Sequence, residues 1–373
     1  MKKCIIIPDS FKGTMSALEF CQIAEKTVKR HMPGCEVLTI PVADGGEGTV
    51  DCFVCALGAE KIERSVCGPW QENVSAAYCV KDGTAFIEMA QAAGLPMVGE
   101  HKNPAKTTTF GVGSLIRDAV EQGCKSIVIG LGGSCTNDGG SGCAAALGVR
   151  FENAAGEPFV PTGGTLAQIR RIDLSGAREL LAGVKITAMC DVDNPLCGPE
   201  CAAAVFGPQK GANVAMIARL DAGLKHLAEV SGKAKLASMP SAGAAGGMGF
   251  GMMAFFNCPL QMGIDGLLDI IDFESILAGA DLVLTGEGRI DPQSMRGKTV
   301  IGVARRASKC GVPTIAVVGD IADGIESAYD LGVSAIFSIN RVAMERKLMK
   351  LRAKSDMEAT VENIIRAVKA VKL

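Results

Sequence analysis

Short aliphatic runs that break directly into polar, glycine-rich turns recur along this chain, and that pattern leaves few folds open. An apolar run of about four to eight residues bounded by turn signals reads as a buried strand. Strands buried on both faces belong to parallel sheets covered by helices. Cys4 to Pro8, a helical pattern from Ser16 to His31 and a second run from Glu36 to Val42 together read as β-α-β. The alternation returns late in the chain at Leu282–Leu284, Thr314–Val318 and Ala335–Ile339, separated by helical stretches such as Lys298–Cys310.

These early and late strands predict one discontinuous Rossmann-like parallel-sheet domain, residues 1–65 and 270–373, closed by a helix over Ser355–Leu373. Between them, Val74–Val80 and Thr84–Met89 are joined by Lys81-Asp82-Gly83, a hairpin signal rather than a crossover. Further strands at Ser126–Gly130 and Val184–Met189 each run into a polar, glycine-rich segment, so residues 66–269 read as an inserted mixed α/β domain. The fold class expected is α/β, with two α/β domains. A length of 373 residues agrees, because domains usually hold about 100 to 200. With 48% hydrophobic residues, only 4% aromatics and 46 glycines, the interior should be small aliphatic side chains crossed by tight turns.

Composition also excludes partners. A net charge of −2 with both signs spread along the chain offers no basic face for nucleic acid. The longest apolar stretch, Ala242–Phe256, falls short of the roughly 18 residues a membrane span needs. The run Cys4–Ile7 is too short for a signal-peptide core. Fifteen cysteines without the dense spacing of a disulfide scaffold indicate a reducing compartment, so the expected location is the cytoplasm. Cys52-Phe-Val-Cys55 and the Cys197/Cys201 pair read as buried structural thiols, since no second pair stands at zinc-finger spacing. Nothing in the sequence sets an oligomeric state.

Five segments carry the chemistry. In Asp9–Ala17, Lys12 sits in the turn before a helix that Ser16 can cap, and a cation beside open N–H groups suits a carboxylate or a phosphate. Ala43–Thr49 has three glycines in four positions and places the carboxylates of Asp44 and Glu47 in one turn, where they suit Mg²⁺, a sugar-acid hydroxyl or a helix dipole. Gly130–Gly140 has five glycines in eleven residues, the composition of a phosphate loop. It is no dinucleotide fingerprint, because the third glycine of that motif would fall at Cys135. In Cys190–Gly198, Asp191 is placed as a base or metal ligand, while Asp193 and Asn194 suit an Asx turn as well. The fifth, Thr285–Thr299, is no Walker loop despite Gly297-Lys298-Thr299, since Pro292 stands where the earlier glycine is required. Lys298 opposes a helix dipole there unless an anion is bound. The glycine-rich stretch Ser241–Gly251 reads as a close-packing surface or a lid, with packing preferred.

Taken in order, Pro8-Asp9-Ser10-Phe11-Lys12-Gly13, Ala43-Asp44-Gly45-Gly46-Glu47-Gly48-Thr49, Gly132-Gly133-Ser134-x-Thr136-Asn137-Asp138-Gly139-Gly140, Cys190-Asp191-Val192-x-Asn194-Pro195-Leu196 and Thr285-Gly286-Glu287-Gly288-x-x-Asp291-x-Gln293-Ser294 resemble the motifs of the type I glycerate kinases, nearly end to end. The resemblance implies two α/β domains with the active site between them, ATP with Mg²⁺ as cofactors, and D-glycerate as the acceptor, converted to 2-phosphoglycerate.

Phosphoryl transfer needs positioning, charge neutralisation and an acceptor for the hydroxyl proton. None of the three histidines, His31, His101 and His226, lies in a motif, so the expected base is a carboxylate. Asp191 is the first choice, Asp44 the alternative, and Lys12 the cation near the glycerate carboxylate or γ-phosphate. Ser10, Asp44, Gly45, Gly46 and Asn194 are expected on the glycerate side. Gly132, Gly133, Ser134, Thr136, Asn137 and Lys298 are expected on the nucleotide side, with Glu287 and Asp291 toward Mg²⁺. Two rival readings remain: a NAD-dependent hydroxy-acid oxidoreductase, which lacks an intact fingerprint and a site histidine, and a non-enzymatic sugar-acid sensor, which needs no phosphate loop.

Overall fold

The computed structural model describes residues 1–11, 13–42, 45–46, 48–261 and 263–371. Its strands in chain order are β1 (Lys3–Pro8), β2 (Glu36–Thr39), β3 (Glu60–Cys67), β4 (Asn73–Lys81), β5 (Thr84–Glu88), β6 (Ser126–Gly130), β7 (Arg150–Glu152), β8 (Pro158–Phe159), β9 (Arg171–Asp173), β10 (Lys185–Met189), β11 (Leu260–Gln261), β12 (Leu282–Ile290), β13 (Thr314–Ile321) and β14 (Val333–Ser338). The chain divides into two units. One holds residues 1–44, 51–58 and 262–373, the other 45–50 and 59–261.

The first unit is built on a five-stranded parallel sheet in the order β14-β13-β12-β1-β2. Strand β1 lies inside this sheet between β12 and β2, and its Cys-Ile-Ile-Ile run, Cys4 to Ile7, is fully buried, as a strand covered by helices on both faces must be. The helix Ala17–His31 begins where Ser16 accepts from the Glu19 N–H at 3.1 Å while the Glu19 carboxylate accepts from the Ser16 N–H at 2.9 Å. It buries Phe20, Cys21, Ala24 and Val28 and carries Lys29 and Arg30 in its last turn, cations that complement the helix dipole. The last helix begins at Arg346 rather than at Ser355. Its first turns are basic and bury only Ala353, so no apolar stripe announces them; the stripe Met357, Val361, Ile364, Ile365 and Val368 comes later and packs into the same cluster as Phe20 and Val28. Strand β12 does not stop at Leu284 but continues to Ile290, because β13 pairs with it as far as Ile290↔Ile321.

The second unit carries a six-stranded sheet ordered β11-β10-β6-β5-β4-β3. β5, β6, β10 and β11 are parallel, while β3 and β4 are antiparallel additions. The β4–β5 hairpin turns through Asp82 and Gly83 at φ 48° and 73°, the left-handed pair that matches the sheet twist. The sequence-based boundary at residue 65 falls inside β3, which pairs with β4 from Glu60↔Val80 to Cys67↔Asn73. A small sheet, β8-β7-β9, has strands too short for a legible period. All fifteen cysteines are free thiols, and Cys55 is exposed rather than buried.

Candidate active site

The ends of parallel strands are where each unit gathers its motifs. In the second unit, β5, β6 and β10 end level with one another, with Glu88 beside Gly130 and Gly130 beside Met189. The turn after β6 is tied sideways by the Leu131 N–H to the Met189 carbonyl at 3.1 Å. Gly132 then donates to the Gly45 carbonyl at 2.8 Å. Gly46 accepts both the N–H and the hydroxyl of Thr49, at 3.2 and 2.6 Å, and Glu88 accepts the Val50 N–H at 3.3 Å. Three of the five motif segments therefore meet on one strand edge.

The glycines there serve contact between backbones. A Cβ on Gly132 would lie 2.5 Å from Gly46 Cα, and one on Gly45, at φ 82°, would lie 3.1 Å from Gly130 Cα. The stretch Ser241–Gly251 is likewise a packing surface: Gly139 donates to the Gly246 carbonyl at 3.0 Å, and a Cβ on Gly251 would sit 2.5 Å from the Gly139 carbonyl oxygen.

Beneath this edge lies a buried polar network. The Asp138 carboxylate accepts from the Thr109 N–H and hydroxyl, both at 2.8 Å, from the Gly140 N–H at 3.1 Å and from the Gly142 N–H at 3.2 Å. Burial raises its pKa and those four donors oppose the rise. Lys210, on the short turn Pro208–Lys210, is 2% exposed and donates to the Ser134 hydroxyl and the Thr136 carbonyl, both at 2.7 Å. Burial lowers its ammonium pKa to about 8. The Thr136 and Ser141 hydroxyls and both amide atoms of Asn137 are buried without a hydrogen-bond partner among the described residues. Each such atom costs about 1–3 kcal/mol unless something satisfies it.

Asp191 stands just past β10 and is half-buried, whereas Asp193 is exposed. The Asn194 side-chain amide donates to the Glu200 carbonyl at 2.8 Å, closing its own turn, and the Asn194 main-chain carbonyl accepts the Gly243 N–H at 2.9 Å.

In the first unit, β1 and β12 bring the first and fifth motifs together. The Asp9 N–H donates to the Gly286 carbonyl at 2.8 Å, and the Thr285 hydroxyl donates to the Ile7 carbonyl at 2.8 Å. The Ser10 N–H donates to the Asp9 carboxylate at 2.6 Å. Glu287 is 6% exposed on β12 itself, not in a loop. The Asp291 carboxylate accepts the N–H groups of Gln293 and Ser294, at 2.9 and 3.2 Å, forming an Asx turn. Lys298 is the N-cap of the helix Thr299–Lys309 without a side-chain cap bond, since an ammonium has no lone pair with which to accept one. Lys12, Asp44 and the neighbouring Glu47 lie outside the described residues. No three His, Cys, Asp or Glu side chains among the described residues gather as a metal-binding group. Nor is any helix among them long and apolar enough to cross a membrane.

The sequence matches the description "Glycerate kinase family" over residues 4–369. The chain belongs to the glycerate kinase family. It is 45% identical to the glycerate kinase of Bacillus subtilis (strain 168), with 99% of this chain and 98% of that one covered. It is 44% identical to the glycerate 2-kinase of Escherichia coli (strain K12), with 90% of each covered. A crystal structure from Salmonella typhimurium LT2, assigned as a glycerate kinase 2, superposes with a TM-score of 0.86 at 40% identity and covers 100% of this chain and 99% of that one.

Within this glycerate kinase framework, two features escape sequence reasoning. Asp138 lies in a recognised motif, yet its role as acceptor for Thr109 depends on a contact 29 residues away in the chain. Lys210 stands in Gly207-Pro208-Gln209-Lys210-Gly211, a turn-like string in which a lysine reads as exposed. Its flanking glycines hint at a tight turn but say nothing of burial.

Proposed function

We propose that this chain transfers the γ-phosphoryl group of ATP to D-glycerate and releases 2-phosphoglycerate, as a cytoplasmic enzyme to which segments of both units contribute. The observation that carries the reading is the end-to-end family match, in which a relative named glycerate 2-kinase is 44% identical over the 343 residues aligned.

The chemistry assigns parts to the residues. Asp191, half-buried at the end of β10, accepts the proton of the attacking glycerate hydroxyl, with Asp44 the alternative. Ser10, Asp44, Gly45, Gly46 and Asn194 hold glycerate, and Lys12 neutralises its carboxylate or the moving phosphoryl group. Gly132, Gly133, Ser134, Thr136 and Asn137 cradle the triphosphate with Lys298. The partnerless buried polar atoms of Thr136 and Asn137 support that role, since a bound nucleotide would satisfy them.

Mg²⁺ at a phosphoryl-transfer site is held by one or two carboxylates plus phosphates and water, so a three-ligand protein cage is not required. Glu287, a carboxylate nearly enclosed on β12, fits that requirement, and Asp291, just past the end of the same strand, offers the carboxylate oxygen its Asx turn leaves open. When bound, the ion would neutralise charge on the phosphates.

Incubating the purified chain with ATP, Mg²⁺ and D-glycerate and separating the phosphoglycerates tests the reading. The 2-phosphate is expected. Exclusive formation of the 3-phosphate overturns the product, and absence of turnover overturns the activity.

A further inference from the structure

Lys210 is a buried cation whose hydrogen bonds both end on the turn after β6, at Ser134 Oγ and the Thr136 carbonyl. An ammonium group has protons to donate and no lone pair to accept with. Ser134 Oγ therefore accepts from Lys210, and the serine's own proton must be donated to some other group. Ser134 is 7% exposed, so the hydroxyl stands at the boundary of the buried network. Asp138, the buried carboxylate of the same turn, is already occupied by Thr109, Gly140 and Gly142 and acts on Lys210 only through space. The turn thus holds a buried positive charge, a serine hydroxyl biased to donate, and the partnerless polar atoms of Thr136, Asn137 and Ser141. Together these favour an oxyanion.

We propose that Lys210 is a positioning residue for an oxyanion bound at the 132–141 turn, acting through Ser134 by turning its hydroxyl proton toward the ligand. The proposal rests on the kinase reading, in which the oxyanion is either a phosphate of ATP or the carboxylate of glycerate. The rival view is that Lys210 only staples the turn in shape.

The titratable groups that act on Lys210 are Cys135 and Asp138, both from the turn. Burial pushes the Cys135 thiol up to about 12, so it stays protonated where Lys210, lowered to about 8, titrates. Below that value Lys210 is charged and donates into Ser134; above it the charge is lost, and kcat/KM should fall.

The test compares wild type, Lys210→Met, Ser134→Ala and the double variant, with KM measured for ATP and glycerate separately across that pH range. Lys210→Met should raise one KM by about tenfold or more, the size of a lost charge-assisted contact, and leave the other within about twofold. A rise for ATP assigns the oxyanion to a phosphate, and a rise for glycerate assigns it to the carboxylate. The double variant should be no worse than Ser134→Ala, and the alkaline fall should vanish in Lys210→Met. Two unchanged KM values, independent effects in the double variant, or an intact alkaline fall each overturn the proposal. If Lys210→Met does not fold, Ser134→Ala decides: it should lose the alkaline fall, and keeping it overturns the proposal. Should wild type not phosphorylate glycerate, the kinase reading fails alone. Calorimetric binding of ATP and of glycerate to the same proteins then tests Lys210, with equal affinities overturning its role.

Discussion

Gly132 donates its N–H to the carbonyl of Gly45 at 2.8 Å, joining two motif segments that lie more than eighty residues apart in the chain into one piece of backbone. Neither position has room for a side chain, since each projected Cβ meets main-chain atoms of the other segment or of its neighbour. The close approach explains why glycine recurs in both motifs.

Gly132→Ala should therefore lower stability by roughly 1–3 kcal/mol, the cost of overpacking against backbone that cannot move aside. A Cβ at Gly34 meets nothing within 4 Å. Gly34→Ala is the matched control, and thermal melting of both variants checks the contrast. Equal melting temperatures would show that the turn yields freely.

Asp138→Asn should destabilise the protein by about 3 kcal/mol or more. Its carboxylate accepts four donors in a fully buried position, and an amide would turn an N–H₂ toward at least one of them. Denaturant unfolding gives the number; a loss below about 1 kcal/mol would mean the network rearranges at little cost.

Asp191→Asn should cut turnover at least about a hundredfold while leaving the melting temperature near wild type, if this half-buried carboxylate takes the hydroxyl proton. Near-wild-type turnover would pass the role to Asp44.

The depressed Lys210 pKa gives stability a defined pH slope. The folded value is about 8 against the ordinary lysine value of 10.5, so between these the unfolded chain binds more protons than the folded one. Stability from this group then rises with pH across that window, by up to about 3 kcal/mol. The difference in unfolding free energy between wild type and Lys210→Met should grow in favour of wild type from neutral pH toward pH 10 or so. A pH-independent difference would mean the ammonium is not desolvated as its burial indicates.

Local patterns announced much of the architecture. The Ser16–Glu19 capping box, the Asp82-Gly83 hairpin and the aliphatic strands β1, β6 and β10 are encoded within a few residues each, and their neighbours in sequence are enough to form them. The motif segments were legible for the same reason, as glycine strings at strand ends. What only the tertiary structure decided is who meets whom. β12 runs through Glu287 to Ile290 because β13 lies beside it, and the last helix starts at Arg346 without any apolar stripe to announce its first turns. Lys210 is buried because Ser134 and Thr136 come to it from more than seventy residues away. Burial and pairing depend on distant chain segments, and no local spacing of residue types can express them.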